Sequence, residues 1–311
     1  MDVVPAAMSR MTVALDLPAG LTARPLVPAD APAVTALMAA QELADVGEVA
    51  IEEADIIADW QRPGYDVSAG TVGVCDDDRL VAYAEVAYGD RGDAAVHPDY
   101  RGRGIGTWLA GWMQQKAREK GSSVIGMPVP QGSPGDRLLD SLGYRVRWTS
   151  WVLQLPEGAA IAERPLPAGY AVRAATEADW EAAFTVNEDA FLEWSQRERD
   201  TFEIWQSQVV RRPGFEPWHL RVVTDPAGAV VAMALLQLHD DQCFIARLAT
   251  RADQRGRGLA QALLVDAFAE ARQHGAARFE LSTDSRTGAL SLYEKVGMRV
   301  TSEWVNRAID V

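Results

Sequence analysis

Apolar positions along this chain recur with two spacings that alternate. Residues 178–191 and 198–210 carry them three and four apart, which predicts amphipathic helices. Arg211-Arg212-Pro213-Gly214 ends the second, because proline lacks the backbone N–H a helix interior needs. Residues 219–223 and 229–238 are β-type runs joined by Asp225-Pro226-Ala227-Gly228, a predicted hairpin. The pattern then predicts a strand at 243–250, a helix at 260–274 stopped by Gly275, and a buried strand at 278–283. A short helix at 287–296, ended by Gly297, and a last strand within 298–309 complete the series. The same order occurs earlier, with a helix at 31–43, a hairpin around Asp76-Asp77-Asp78, a helix at 107–120 and a final hairpin through 148–155.

A repeat underlies this order. Arg101-Gly102-Arg103-Gly104-Ile105-Gly106 returns as Arg255-Gly256-Arg257-Gly258-Leu259-Ala260, 154 residues on, and Leu142-Gly143-Tyr144 returns as Val296-Gly297-Met298 at the same separation. Nearer each start, Arg24-Pro25-Leu26 with Ala29-Asp30 answers Arg173-Ala174-Ala175 with Ala178-Asp179 at 149, so the second copy carries five extra residues. Solenoid repeats have periods of about 20–50 residues, so this is a tandem of domains. The chain's 311 residues agree, since the soft prior for that length is about two domains. The expected layout is one unit over 1–155, a linker over 156–169 and a second unit over 170–311. Three prolines and two glycines in the linker suit a surface connection.

Each copy of the arginine-glycine phrase sits where a strand gives way to a long helix. Glycines at alternate positions let backbone approach oxygen atoms without a Cβ in the way, and the helix start offers free N–H groups and a positive dipole end. Arg101, Arg103, Arg255 and Arg257 can add charge-assisted bonds, so the phrase reads as a duplicated phosphate-binding loop. A tight turn with solvated arginines is the alternative. No Gly-Lys-Ser/Thr follows, which excludes a P-loop, and the βαβ unit with a downstream acid of a dinucleotide fold is not evident.

Charge and composition narrow the function. A net charge of −14 argues against a general nucleic-acid binder, whose phosphate contacts need a concentrated positive face. It suits a small cationic or amine substrate, or simply a soluble surface. The two cysteines, Cys75 and Cys243, fall in different units and lack metal-site spacing, so no metal is expected and a reducing compartment is. No apolar run reaches membrane-spanning length, and the first eighteen residues lack a secretory signal's basic start and apolar stretch. The expectation is a cytoplasmic monomer or homodimer that binds neither nucleic acid nor membrane. Among the ten tryptophans, Trp194, Trp205 and Trp218 fall where substrate-facing elements are expected, while Trp108 and Trp112 stand one helical turn apart, as packing residues do.

The loops with their flanks resemble a known family. Val96-His97-Pro98-Asp99-Tyr100 before the first loop and Leu248-Ala249-Thr250 before the second are similar to the approach to the acetyl-CoA signature Arg/Gln-x-x-Gly-x-Gly/Ala of the GNAT N-acetyltransferase superfamily. Leu290-Ser291-Leu292-Tyr293-Glu294-Lys295-Val296-Gly297-Met298 resembles that family's closing Leu-Tyr-x-x-x-Gly-Phe/Met. The tandem layout is similar to mycothiol-synthase-like and related two-domain members. This resemblance implies an α/β fold, an α+β mixed sheet in two tandem GNAT-like domains, each a mostly antiparallel twisted sheet flanked by helices. It implies acetyl-CoA as cofactor, with Leu248, Ala249 and Thr250 pairing with the pantetheine arm. Arg255 and the loop amides of Gly256, Arg257, Gly258, Leu259 and Ala260 would hold the pyrophosphate. In the first unit the matching set is Val96 with Arg101, Gly102, Arg103, Gly104, Ile105 and Gly106.

Tyr293 matches the tyrosine that protonates the departing thiolate in many members. Its counterpart in the first unit is Leu139, which cannot donate a proton, so the C-terminal unit is expected to be catalytic and the N-terminal one degenerate or structural. Many members carry a glutamate on the strand before the loop, whereas Cys243, Phe244, Ile245, Ala246 and Arg247 offer no carboxylate. The general base is therefore open among His239, Asp240, Asp241, Glu193 and Asp284, each also readable as a solvated turn residue. His219 could relay a proton or pack in the core, and Cys243 could carry an acetyl group or simply pack. The implied activity is acetyl transfer to a primary amine of a small molecule, directly in a ternary complex. A protein amine as acceptor, and a non-catalytic acetyl-CoA-binding or sensing tandem, are the alternatives.

Overall fold

The computed structural model describes residues 16–311; residues 1–15, most of the stretch read above for a secretory signal, lie outside the described residues. The N-terminal unit runs β1 (Thr22–Arg24), α1 (Ala31–Asp45), α2 (Glu53–Trp60), α3 (Val67–Gly70), β2 (Thr71–Asp76), β3 (Arg79–Ala87) and β4 (Arg91–Val96), then α4 (Ile105–Glu119), β5 (Val124–Pro130), α5 (Pro134–Ser141) and β6 (Arg145–Gln154). The C-terminal unit runs β7 (Ala171–Ala174), α6 (Trp180–Leu192), α7 (Phe202–Gln208), β8 (Leu220–Thr224), β9 (Val230–His239) and β10 (Gln242–Thr250), then α8 (Leu259–Gln273), β11 (Arg278–Asp284), α9 (Leu290–Lys295) and β12 (Arg299–Asp310). It is the mixed, mostly antiparallel α/β architecture that the family resemblance implies.

The twelve strands of the described residues form one sheet, in the order β1-β2-β3-β4-β5-β12-β6-β11-β10-β9-β8-β7. The final strands are exchanged. β12 lies against β5, and β6 lies against β11, with β6 and β12 antiparallel to each other at the centre. The cores are exchanged with them: Val305 of β12 packs in the N-terminal core, whereas Leu153 and Leu155 pack in the C-terminal one. The hairpin expected over 148–155 is therefore a single strand. The stretch Arg145–Gln154 holds no glycine, proline or asparagine to turn it, and both its partners come from the second unit.

Helices cover both faces of the sheet. Ile105, Leu109, Ala110, Met113 and Ala117 form the buried stripe of α4, and Leu259, Leu263, Ala267 and Ala271 mark that of α8. With helices on both sides, β3 and β9 read as nearly continuous buried runs. Trp108 and Trp112 pack against the N-terminal core, as their spacing suggested. Two helices start later than their periodicity: α7 begins after Thr201, whose hydroxyl accepts from the Ile204 N–H, and α9 begins at Leu290. The linker is less superficial than its composition suggests, because Ile161 is buried in the C-terminal core and Ala162 accepts a hydrogen bond from Gln261.

Candidate active site

Each unit opens a wedge in the sheet between two parallel strands. β10 and β11 pair from Gln242 with Arg278 to Ile245 with Leu281, and then part. On its other side β10 stays paired with β9 as far as Thr250, across a bulge at Ala246. The free edge of Leu248, Ala249 and Thr250 thus faces a cleft of about 560 Å³, whose far wall is Leu281, Ser282 and Thr283. Strand exchange adds a wall residue from the first unit, since Ser150 of β6 sits opposite Asp284.

At the wide end of the wedge the loop turns into α8. Gly256 and Gly258 have φ of 76° and 82°, values a side chain resists, and Gly258 caps the helix. The first helical N–H groups have no intrahelical partner and point out of the loop. Thr250 holds a buried hydroxyl with no hydrogen-bond partner among the described residues, and its carbonyl accepts from Arg255 Nε at 3.2 Å. The Arg164 side chain crosses over Gly258, so a Cβ there would lie 2.6 Å from its Cδ. Bare backbone, unpaired amides, an orphaned hydroxyl and converging arginines form a donor set that fits a phosphorylated ligand with a polar arm. Arg257 instead reaches Tyr170, at 3.3 Å.

Tyr293, on α9, lines the same cleft and is 8% exposed. Burial pushes its phenol up to about 12, so it keeps its proton at neutral pH. Leu139 occupies the matching place in the first unit, and the local frame is the same: Met298 N–H bonds the Tyr293 carbonyl, as Tyr144 N–H bonds that of Leu139. The symmetry is in the backbone and the chemistry differs.

Of the carboxylates considered as base, Glu193 and Asp284 line the cleft. Glu193 takes two 2.7 Å bonds from Arg255, which hold its carboxyl below the usual range. Asp284 takes bonds of 3.1 and 2.6 Å from Arg286. The guanidinium of Arg286 also lies over the rings of Trp148 and Trp194, 3.6 and 4.7 Å from their centroids. The other three candidates sit at the far end of β10. His239 pairs with Glu52 at 2.7 Å, Asp240 occupies the turn with φ of 50°, and Asp241 pairs with Arg278.

His219, Cys243 and Trp205 are buried. His219 accepts the Glu216 N–H at Nδ1, and burial lowers its pKa to about 4. Cys243 is fully buried, its thiol pushed up to about 12, which removes the thiolate a nucleophile needs. Trp205 is core, Trp218 stacks on His274, and only Trp194 of those three lines the cleft.

The N-terminal wedge is narrower in content. β4 and β5 pair only at Arg91 with Gly126, and the cavity beyond holds about 230 Å³, bounded by Val96, Ile105, Met127 and Leu139. Its loop repeats the left-handed glycines, with φ of 76° at Gly102 and 87° at Gly104. Arg101 is bound to Asp45 at 2.8 and 3.0 Å, and Arg103 lies over the Tyr100 ring.

Sequence reasoning missed three features. Arg164 comes from the linker, Ser150 arrives through strand exchange, and Arg247 lines the cleft beside the β10 bulge with its guanidinium against Gln208. Only Arg247 left a signal, as a charged residue in an otherwise apolar strand.

Comparison with known proteins agrees with this layout. A family model described as the acetyltransferase (GNAT) family matches residues 35–132 and again 178–298. A mycothiol acetyltransferase of Salinispora arenicola is 31% identical over 251 residues, spanning 73% of this chain and 77% of the relative. One from Salinispora tropica is 30% identical, spanning 69% and 71%. Among solved structures, a GCN5-related N-acetyltransferase from Sphaerobacter thermophilus superposes with a TM-score of 0.72 at 29% identity, covering 95% of this chain and 97% of that one. A tandem GNAT protein from the clavulanic acid biosynthesis pathway reaches the same TM-score at 16% identity, covering 93% and 98%, and shares the fold.

Proposed function

We propose, from the premise that this chain belongs to the acetyltransferase (GNAT) family and is an N-acetyltransferase, that its C-terminal cleft moves an acetyl group from acetyl-CoA to a primary amine of a small molecule, directly and in a ternary complex. The observation that carries the assignment to this cleft is Tyr293, a protonated phenol in its wall where the other cleft has Leu139. The relatives' name, mycothiol acetyltransferase, supports a small-molecule acceptor.

Acetyl-CoA supplies the activated acetyl thioester, and the chain positions the reactants and manages protons. The free edge of β10 at Leu248, Ala249 and Thr250 holds the arm, with the orphaned Thr250 hydroxyl as one partner. The amides of Gly256, Arg257, Gly258, Leu259 and Ala260, with Arg255, hold the pyrophosphate. Tyr293 holds a proton at Oη for a departing thiolate, at a pKa that keeps it there across the physiological range.

An alkyl amine with pKa near 10 is neutral in only about one molecule per thousand at pH 7, so one proton must leave before attack. Glu193 and Asp284, the base candidates lining the cleft, are each engaged by an arginine. The N-terminal cradle is a structural counterpart that lacks the acid. Release of CoA across a panel of amines tests the reading, and acetyl-CoA binding without transfer to any amine overturns it.

A further inference from the structure

Eight residues before each loop arginine, the two units carry opposite charges: Asp93 before Arg101 and Arg247 before Arg255. In the first unit Asp93 stands across the strand pair from Glu85, which accepts bonds from Trp60 and Tyr65. In the second, Arg247 pairs across with Leu235 and lines the cleft that also holds Tyr293. The place of Arg247 follows from topology. The loop anchors the wide end of the wedge at 255–260, and β10 runs back from it to the point where β10 and β11 meet, at Ile245 and Leu281. Arg247 therefore sits at the narrow end, where an acceptor meets the acetyl group.

The guanidinium there is under-used. A guanidinium has five N–H donors, and among the described residues this one makes a single hydrogen bond, of 3.5 Å, to Gln208 Oε1. The nearest carboxylates are committed elsewhere. Glu188 takes two bonds from Arg197, at 2.7 and 2.9 Å, plus the Asp200 N–H, and Asp200 lies 3.4 Å from the same Arg197. Burial lowers the Arg247 pKa despite those acids, so the cation is less well stabilised there than in water. On the first unit's side, Tyr88 faces this group with φ of 44°, a strained value for a bulky side chain, and is held by Gln208 at 2.8 Å.

We propose that Arg247 anchors a carboxylate of the acceptor, so that the C-terminal cleft acetylates amines that also carry a carboxylate, of the amino-acid class. This rests on the reading of that cleft as the transferase site. A planar fork of free N–H groups matches a carboxylate with two parallel bonds, which neither a hydroxyl nor an amide reproduces. The anion replaces water on the guanidinium, and the amine is left to point at the acetyl group.

The test uses matched pairs, free amino acids against their carboxamides, with acetyl-CoA as donor, CoA release as readout and rates compared per neutral amine, because the carboxamide's amine is the less basic of the two. The wild-type chain favours the carboxylate member by at least about tenfold in kcat/KM. Arg247→Met brings the carboxylate member down to its carboxamide, mainly through KM, and Arg247→Lys keeps part of the preference. Equal turnover of the two members, or an equal fall in kcat on both in Arg247→Met, overturns the anchor and leaves the transferase reading standing. A second arm needs no turnover: N-acetyl amino acids and their carboxamides are titrated into the CoA-saturated chain by calorimetry. Selective binding of the carboxylates that Arg247→Met removes, in a chain that transfers to no amine, keeps the anchor and overturns the transferase reading. Absence of that selectivity overturns the anchor.

Discussion

Arg255 grips Glu193 through two hydrogen bonds of 2.7 Å, across the mouth of the loop assigned to pyrophosphate. Arg101 grips Asp45 in the same manner in the other unit, at 2.8 and 3.0 Å. Both pairs join the first-helix region of a unit to its loop, and both place a carboxylate where an anionic ligand competes for the arginine.

The Glu193 pair is partly solvent-exposed, so its strength is about 0–1 kcal/mol and a phosphate can displace it. Glu193→Gln removes the competing charge. Calorimetric titration with CoA gives an affinity tightened by about two- to fivefold. A weakened affinity shows that Glu193 positions the loop instead of competing with the ligand.

Tyr293 and Leu139 occupy one backbone position in two units, and their variants separate chemistry from packing. Tyr293→Phe keeps the ring and loses the proton, so turnover falls by more than about tenfold with little change in acetyl-CoA affinity. Leu139→Ala leaves a cavity in the N-terminal core and destabilises the chain by about 2–5 kcal/mol, read by denaturant unfolding. Full turnover by Tyr293→Phe at all pH values contradicts the acid assignment.

The pH dependence has a definite sign. Below the amine's own pKa its neutral fraction grows about tenfold per pH unit, so kcat/KM rises with about unit slope from pH 7 to 9. Tyr293, held at about 12, stays protonated through that range, and no descending limb appears below about pH 10. A plateau beginning near pH 5 reveals a carboxylate base.

Strand exchange couples the two units. Leu153 is 0% exposed, belongs by chain order to the first unit and fills the core of the second. Leu153→Ala costs about 2–5 kcal/mol and weakens CoA binding in the C-terminal cleft. Calorimetric melting of the intact chain shows one transition, and two well-separated transitions contradict the coupling.

The loops were legible because their chemistry is local. Alternating glycines, flanking arginines and a following amphipathic stripe lie within a few residues, and each piece constrains the others. Tyr293 stood out because its segment resembles the family's closing motif, and counting 154 residues back to Leu139 then set the two units apart. The exchange of β6 and β12 was not legible, because a period of two tells which face of a strand is buried and nothing about which strand lies beside it. With it went Ser150 and the misread hairpin over 148–155. The position of Arg247 depends on the bulge at Ala246, which shifts the strand by one residue without a mark in composition. Arg164 was hidden by its place in a proline-rich linker.

The central claim, that transfer runs in the C-terminal cleft, is tested most directly by turnover of Gly104→Val and Gly258→Val side by side. Both glycines hold left-handed φ at the start of a loop helix, and both variants are confirmed folded by circular dichroism. The account predicts that Gly258→Val loses at least about tenfold more turnover than Gly104→Val, because only its loop serves the cleft that holds Tyr293. The opposite order, with Gly104→Val the more damaged, contradicts it.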